Sequence, residues 1–578
     1  RRLSDDEELE NRMVDSADGE EMIALYEEND ILGDTDTVDM DKLRAKGKGV
    51  LRIVRQNKLD DVYAENNKKT DFSADIFYYS PFGSEYDFVL RDCYIRIQGT
   101  SSTKYPSKNI RIYISKGGTN LSFTVGGKEQ AEKKYPVRPG GIAMNLICLK
   151  SDYSDSSMSL NTGGAKLFND VLKEMGLLTP PQRYQYETGG SDLNAVTVRT
   201  AIDGVPIDVF VAAAEDGENN YVGQYNFNNE KSKSGDLFGL SGVEGYDPAC
   251  PLTLEMLNNT EAMCLFKTTS DAHLEEVFDA GAETNVPDDV KWAGLDESQR
   301  TAVKRLYAWI RSCVPDGATS ADLSTFKSEK FRDEISDYFD KAFLLTYYLW
   351  TDYFLAVDQR AKNMMLRTWD GLIWYITYYD GDTQMGKRND CFLVYDYTTD
   401  RDTYDAEAGK YAFEGRDSWL WNLVLANLDA DLKTQAQALR GVLTTSRVLD
   451  MLNVEQAGNW CDRAYNKSGE LKYILPATQE MYGKVWPFIY ALQGSNRAHR
   501  EYFVRNRFAL LDAKYGTSNF TSDNIDLYLA RTAADTPDVL KITANEVYAF
   551  GYGTNNSPNI GNTGIIKKDA AASLSITG

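Results

Sequence analysis

FRDEISDYFDKAFLLTYYLWTDYFLAVDQRAKNMMLRTWDGLIWYITYYDGDT, residues 331–383, passes from helix to loop to strand to acidic turn, and that succession decides the expected architecture. Its opening stretch, to Leu355, has the spacing of a long amphipathic helix. Asp358-Gln-Arg-Ala-Lys-Asn363 interrupts it, residues 371–380 (GLIWYITYYD) follow as a buried strand, and Tyr379-Asp-Gly-Asp-Thr383 ends the strand. A helix therefore delivers the chain into a polar loop, and a strand delivers it into a second one.

Each polar loop has a chemical reading and a plain one. An Asp with an Asn five positions later is the spacing of a protein-kinase catalytic loop, where the Asp accepts the substrate hydroxyl proton and the Asn holds a metal ion. Ala356-Val357 stand where His-Arg usually precede that Asp. On the plain reading Asp358 and Asn363 are helix caps. Asp380 and Asp382, at i and i+2 as a strand ends, suit Mg2+ or Mn2+, which favour hard oxygen ligands; the plain reading is a DG turn capped by the second Asp. Upstream, RIQGTSSTKYPSKNIRIYI (96–114) runs strand, small-residue turn, strand. There Gly99, Ser101 and Ser102 would let backbone amides approach phosphate oxygens while Lys108 reaches them as a point charge, although such a loop alone is more often just a hairpin turn. The three segments occur in kinase order: hairpin with Lys, helix, D-x4-N loop, strand, Asp-containing metal motif.

Working outward, residues 1–45 are acidic and helical in flavour, broken by Gly33, and read as a connector. From 46 to about 250 the pattern is of short alternating runs (VLRIVR, SADIFYYS, CYIRIQG, NIRIYIS, LSFTV, AMNLICL, AVTVRTAI, VPIDVFVAA, NYVGQYNF) separated by KGG, VGG and DG turns, which predicts a mostly antiparallel sheet. One helix interrupts it over 155–175, where Leu167, Phe168, Val171, Leu172 and Met175 share a face. Residues 251–515 are predicted mainly helical, with Asp and Ser caps before DSWLWNLVLANL and SRVLDMLNVEQAGNWCDRAY. Residues 516–578 read as a linker and the start of a β element, and both chain ends read as cuts within something longer. The expected class is α+β, a β-rich half followed by a helical half.

Composition narrows the function classes. The 63 Lys and Arg against 87 Asp and Glu give a net charge of -24, which opposes general binding to nucleic acid or an anionic membrane. A phosphate site must then be a local basic spot. The seven cysteines (93, 148, 250, 264, 313, 391, 461) form no CxxC pair and, with only His273 and His499 besides, give no zinc signature; they read as buried reduced thiols. No run reaches the roughly 18 apolar residues of a membrane-spanning helix, and RRLSDDEELENR has no hydrophobic signal core.

These motifs resemble those of the CotH kinase family, atypical protein kinases with a β-rich N-lobe and a helical C-lobe. QGTSSTKYPSKN is similar to that family's RGNSS...YP.KK segment, with Gln98 for Arg and Thr100 for Asn, and Lys108 on the nucleotide-contacting Lys. LKSDYSDSSMSLNTGGAKLFNDV (149–171) looks like the segment in which an Asp, a Ser and an Asn precede a helix, on Asp155, Ser156 and Asn161. In YVGQYNFNNEKS, Asn229 stands on the family's Glu, with Glu230 next to it. The resemblance covers about 85–395, with the helical region to 515 as the rest of the C-lobe. In wording it is similar above all to CotH-like modules in large virion proteins of crAss-like gut phages.

The resemblance implies a two-lobed atypical kinase fold with Asp358 and Lys108 catalytic, Gly99, Ser101, Ser102 and Lys108 on the nucleotide, and Asn363, Asp380 and Asp382 on the metal. It implies ATP with Mg2+ or Mn2+ as cofactors if the module is active, and none otherwise. Expected partners are other virion or coat proteins in a homo-oligomeric assembly, without nucleic acid or membrane, on the virion or else a bacterial cell or spore surface. Two functions stand side by side: a kinase-like building block of a phage tail or portal-proximal structure, and an active kinase phosphorylating Ser, Thr or Tyr of a coat protein. A sugar-binding module, drawing on Trp369, Trp374, Trp419 and Trp421, is the third; aromatics at such spacing are more often core.

Overall fold

The computed structural model describes residues 49–65, 70–99, 108–152, 160–230, 252–255, 266, 292–361, 363–387, 395–453, 493–517 and four short strands within 539–577. The chain is α+β and divides into two compact units, one of residues 1–163, 202–237 and 451–497, the other of 164–201, 238–450 and 498–578. The acidic connector expected over 1–45 lies outside the described residues.

The first unit is built on a closed sheet. β1 (Gly49–Val54) pairs with β2 (Phe72–Tyr79), β2 with β3 (Phe88–Gln98), and β3 with β4 (Asn109–Val125), all antiparallel. A single short helix, α1 (Asp60–Ala64), lies between β1 and β2 in the chain. The short β5 (Lys128–Glu129) folds back on β4, and β6 (Tyr135–Pro136) pairs with β7 (Ala143–Met144) apart from the main sheet. β8 (Leu146–Lys150) joins the other side of β4; β9 (Gly204–Ala212) and β10 (Asn220–Asn229) continue the ring, and β9 returns to β1 as the single parallel pairing among these strands. Closing the ring leaves its strands without exposed edges. Alternate residues fill the interior: Leu51 and Ile53, Ile95 and Ile97, Ile110 and Ile112, then Val205, Ile207 and Val209, and Tyr225 and Phe227. Phe227 stacks on Tyr78 with ring centroids 4.5 Å apart.

Two expectations fail here for identifiable reasons. The Lys116-Gly117-Gly118 run, read as a turn between two strands, lies inside the single long β4. It marks a register shift against β3 at Cys93, and a Cβ on Gly117 would overlap the Asp92 carbonyl oxygen, so glycine serves close strand approach rather than a reversal. The AVTVRTAI run (195–202) joins no sheet beyond an isolated bridge from Ala201 to Tyr378. Its amides are met by side chains: Gln185 Oε1 accepts from Thr197 N and Val198 N, each at 2.9 Å, and Asn169 Oδ1 from Thr200 N at 3.0 Å. With its donors satisfied that way, a β-prone sequence has no need of a ladder.

The second unit is mostly helical: α2 (Thr162–Glu174, in this unit from Gly164), α3 (Pro180–Thr188), α4 (Glu297–Cys313), α5 (Glu329–Glu334), α6 (Lys341–Tyr353), α7 (Trp419–Asn427), α8 (Asp429–Val442), α9 (Thr445–Asn453, in this unit to Asp450) and α10 (Gln493–Tyr515, in this unit from Ala498). β11 (Leu252–Glu255), β12 (Met365–Thr368) and β13 (Trp374–Thr377) form its antiparallel sheet. α6 is not amphipathic as its sequence suggests. Every residue from Phe343 to Tyr353 is buried, and Phe168 of α2 meets the Phe343, Tyr347 and Trp350 rings edge to face. Asp340 caps the helix, accepting from Phe343 N at 3.0 Å. Asp340→Ala is expected to weaken this unit by about 1 kcal/mol, read as a lower urea midpoint with an unchanged slope.

Cys93, Cys148 and Cys313 are buried free thiols, as expected; the other four cysteines lie outside the described residues. Four strands, Val539–Ile542 with Leu574–Thr577 and Val547–Ala549 with Gly564–Ile566, show that the tail does contain β structure.

Candidate functional site

The two acidic motifs are brought together by a hairpin. β12 and β13 pair Met365 with Thr377, so Asn363, two residues before β12, and Tyr379, two residues after β13, lie at the same end of the ribbon. Gln359 Nε2 donates to the Tyr379 carbonyl at 3.0 Å, tying the residue after Asp358 to the residue before Asp380. Tyr347 in the middle of α6 donates to the Gln359 carbonyl at 2.8 Å, and Met385 N donates to the carbonyl of Phe354, just past its end, at 2.9 Å, so both loops are tied to the same buried helix.

Within this loop pair Asn363 Nδ2 donates to Asp358 Oδ2 at 2.9 Å. Asp358 and Asn363 are buried, while Asp380 and Asp382 are half-buried. The plain reading made Asp358 a helix cap, but α6 ends at Tyr353 and Asp358 begins no helix. Backbone strain concentrates here: of nine non-glycine residues with positive φ among the described residues, Leu355 (47°), Asn363 (52°), Asp380 (55°) and Met385 (54°) all belong to this stretch. Asn and Asp tolerate that region, Leu and Met do so at a cost, and such outliers gather where a site needs a fixed geometry.

The oxygen-bearing side chains of the two loops are of the type that small divalent cations favour. Asn363 turns its amide nitrogen to Asp358, so the neutral oxygen of the same amide is turned away from that carboxylate. Among the described residues, Gln359 Oε1 and Thr383 Oγ1, one in each loop, are buried polar atoms that find no hydrogen-bond partner, which is where a bound ion or a water would be accommodated. Among the described residues no group of three or more His, Cys, Asp or Glu could hold a metal. Asp358, Asp380 and Asp382 therefore do not form a three-carboxylate cluster.

The residues expected to contact a nucleotide belong to the first unit and are described there. Gly99, with φ 108°, ends β3, and Gln98 pairs with Asn109 as the last rung of the hairpin. Lys108 flanks that rung, buried, and burial draws its ammonium below the usual lysine range. Ser101, Ser102, Asp155 and Ser156 lie outside the described residues. Asn161 Nδ2 donates to Asp152 Oδ1 at 2.9 Å, and Asn226 Nδ2 donates to the other oxygen of that carboxylate. Asn229 Oδ1 accepts from Asp203 N at 3.1 Å. Its neighbour Glu230 is fully buried and forms an ion pair with Arg111 Nε at 3.1 Å, with the Cys148 thiol 2.9 Å away.

Sequence reading missed the surroundings of the loop pair. Arg360 lies inside the D-x4-N motif but points into the core, where its Nη2 meets Asp352 Oδ1 at 3.2 Å. Asp352 also receives Arg507 Nη2 at 3.2 Å, Lys514 Nζ at 3.0 Å and the Tyr515 hydroxyl at 2.7 Å. Burial alone would raise the Asp352 carboxyl, but Lys514, Arg360 and Arg507 outweigh it and hold the group well below the usual carboxylate range. The excess of Arg and Lys around one Asp is a signal only when 352, 360, 507 and 514 are known to be neighbours. Trp369, Trp374 and Trp421 are buried core rings, which removes them as an exposed sugar platform.

No protein-family model and no curated protein matches the chain, so the reading of the loop pair rests on its own chemistry.

Proposed function

We propose that the chain is a kinase-like module of CotH type that binds ATP with Mg2+ and transfers the γ-phosphoryl group to a protein hydroxyl. In this reading the barrel unit is the N-lobe and the helical unit the C-lobe. The observation that carries it is the Asn363–Asp358 hydrogen bond in a loop stapled through Gln359 to the strand end that bears Asp380.

Asp358 would take the proton of the acceptor hydroxyl as its oxygen bonds to the γ-phosphorus and the bridging P–O bond to ADP breaks. Asn363 and Asp380, with Asp382, would hold the metal, which when bound neutralises charge on the phosphates. Lys108 is the residue that the motif resemblance assigns to the nucleotide phosphates. The wording of the motifs further supports a place in a large virion protein of a crAss-like phage, with coat proteins as acceptors and neighbours. Purified protein with labelled ATP and Mg2+ is expected to bind nucleotide only with the metal present and to label a protein acceptor. Absence of metal-dependent nucleotide binding would remove the proposal, and absence of the chain from purified particles would remove the virion assignment.

A further inference from the structure

We propose that Arg360 is the positioning residue of the D-x4-N loop, anchoring it on a buried Asp352 that helix α10 grips from the other side. The inference rests on the phosphoryl-transfer reading for its kinetic consequence, but not for its geometry.

Arg360 is only 2% exposed, and its side chain is held by ring stacking and by hydrogen bonds from Nε and Nη2. Its guanidinium carbon lies 4.1 Å from the Tyr348 ring centroid and 3.9 Å from that of Phe413, a sandwich that fixes the plane of the group. Nε donates to Thr351 Oγ1 at 2.9 Å and Nη2 to Asp352 Oδ1 at 3.2 Å, which fixes the rotation within that plane. The backbone at the same residue is held too: the Arg360 carbonyl accepts from Trp421 Nε1 at 2.6 Å. Gly415 packs so closely that a Cβ there would overlap Arg360 Cβ and lie 2.6 Å from its carbonyl oxygen.

Asp358 is two peptide units from this fixed point, within about 7 Å along the backbone. From the next residue toward Arg360 the Gln359 side chain reaches the Tyr379 carbonyl, so a shift of Arg360 would disturb both acidic loops. Asp352, the anchor, is in turn set by α10: Arg507 Nε donates to its backbone carbonyl at 2.9 Å and Nη2 to its carboxylate, while Lys514 and Tyr515 reach its second oxygen. Arg507 Nη1 also donates to the Tyr397 carbonyl at 2.8 Å and to the Thr399 carbonyl. Residues far apart in sequence thus converge on the one carboxylate that holds the loop, an arrangement in which supporting groups set the geometry of those that react.

The test compares the whole chain with Arg360→Met, which keeps length between the two rings, and Arg360→Lys, which keeps charge toward Asp352 without the planar fork. Hydrogen exchange is followed over 355–366 and 379–385, and transfer kinetics over ATP concentration. Faster exchange confined to those two segments is expected in both variants, together with a kcat reduced about 100-fold and an ATP KM nearly unchanged. Arg360→Lys should recover little, because the fork and the stacking plane are lost. Exchange that rises evenly through the second unit, or no change in either segment, would overturn the inference. If the unaltered protein shows no metal-dependent transfer, the phosphoryl-transfer reading fails by itself, and the exchange comparison alone decides the role of Arg360.

Discussion

Asp358→Asn is expected to slow phosphoryl transfer by about 10²–10⁴-fold, the range for loss of a positioned general base, with little change in thermal stability. The substitution is nearly isosteric, and the atom facing Asn363 Nδ2 remains an oxygen once the new amide is turned suitably. What disappears is the capacity to accept a proton. Nucleotide affinity should move little, because metal and phosphates are assigned to other residues. Asp380→Asn should show the opposite pattern, nucleotide binding that needs more Mg2+ and a loss of rate that high Mg2+ partly restores. Single-turnover transfer at saturating ATP, with a melting curve as control, separates the two. An Asp358→Asn protein as active as the parent would reduce the Asp358–Asn363 pair to a loop clasp and leave the strain at Asn363 and Asp380 without a catalytic reading.

What could be read from the sequence was local. The alternation of SADIFYYS, NIRIYIS and VPIDVFVAA corresponds to β2, β4 and β9, because period 2 reports one buried face regardless of partner. Closure into a barrel was not legible, since β1 pairs with β9, Val50 beside Asp208, and no local pattern names so distant a neighbour. β12 carries no alternating signature, because MLRT is too short and too buried to alternate. α3 is equally obscure, because its start is signalled by Thr179 and Gln182, a capping box hidden among prolines. In the site, the spacing of Asp358, Asn363 and Asp380 was visible because the motif is contiguous on either side of one hairpin. Its support was invisible because Asp352, Arg360 and Arg507 meet only through tertiary packing.

The support also shows why the loop pair sits where it does. A buried carboxylate with one cation roughly offsets its desolvation cost, and Asp512 with Arg440 is such a pair, both fully buried and joined at 2.9 Å. Asp352 has three cations and a phenol, more than neutralisation requires. Those extra charges join α6, the D-x4-N loop and α10 at one point, which fixes a loop that must keep strained residues in place.

Asp352→Asn is therefore expected to be the most destabilising single change in the second unit, costing about 3–5 kcal/mol, because it leaves Arg360 and Arg507 buried without a counter-charge. Their side chains are 3% and 1% exposed, so water cannot take the place of the carboxylate; Lys514, 49% exposed, can resolvate and adds little. Exchange of the α6 amides at neutral pH measures the loss, since those amides report opening of this unit. Acid provides an independent check. Asp352 keeps its charge in the folded protein to well below the usual range, whereas an unfolded Asp binds a proton near pH 3.9. Its contribution is therefore complete above about pH 4–5 and is lost progressively as pH falls below that, when the unfolded chain takes up a proton the folded chain refuses. The asparagine variant has no such proton to bind, so its stability deficit should be largest at neutral pH and shrink as both proteins are acidified. A deficit that stays constant down to about pH 3, below the unfolded carboxyl's titration, would mean that packing around residue 352, and not its charge, holds the loop.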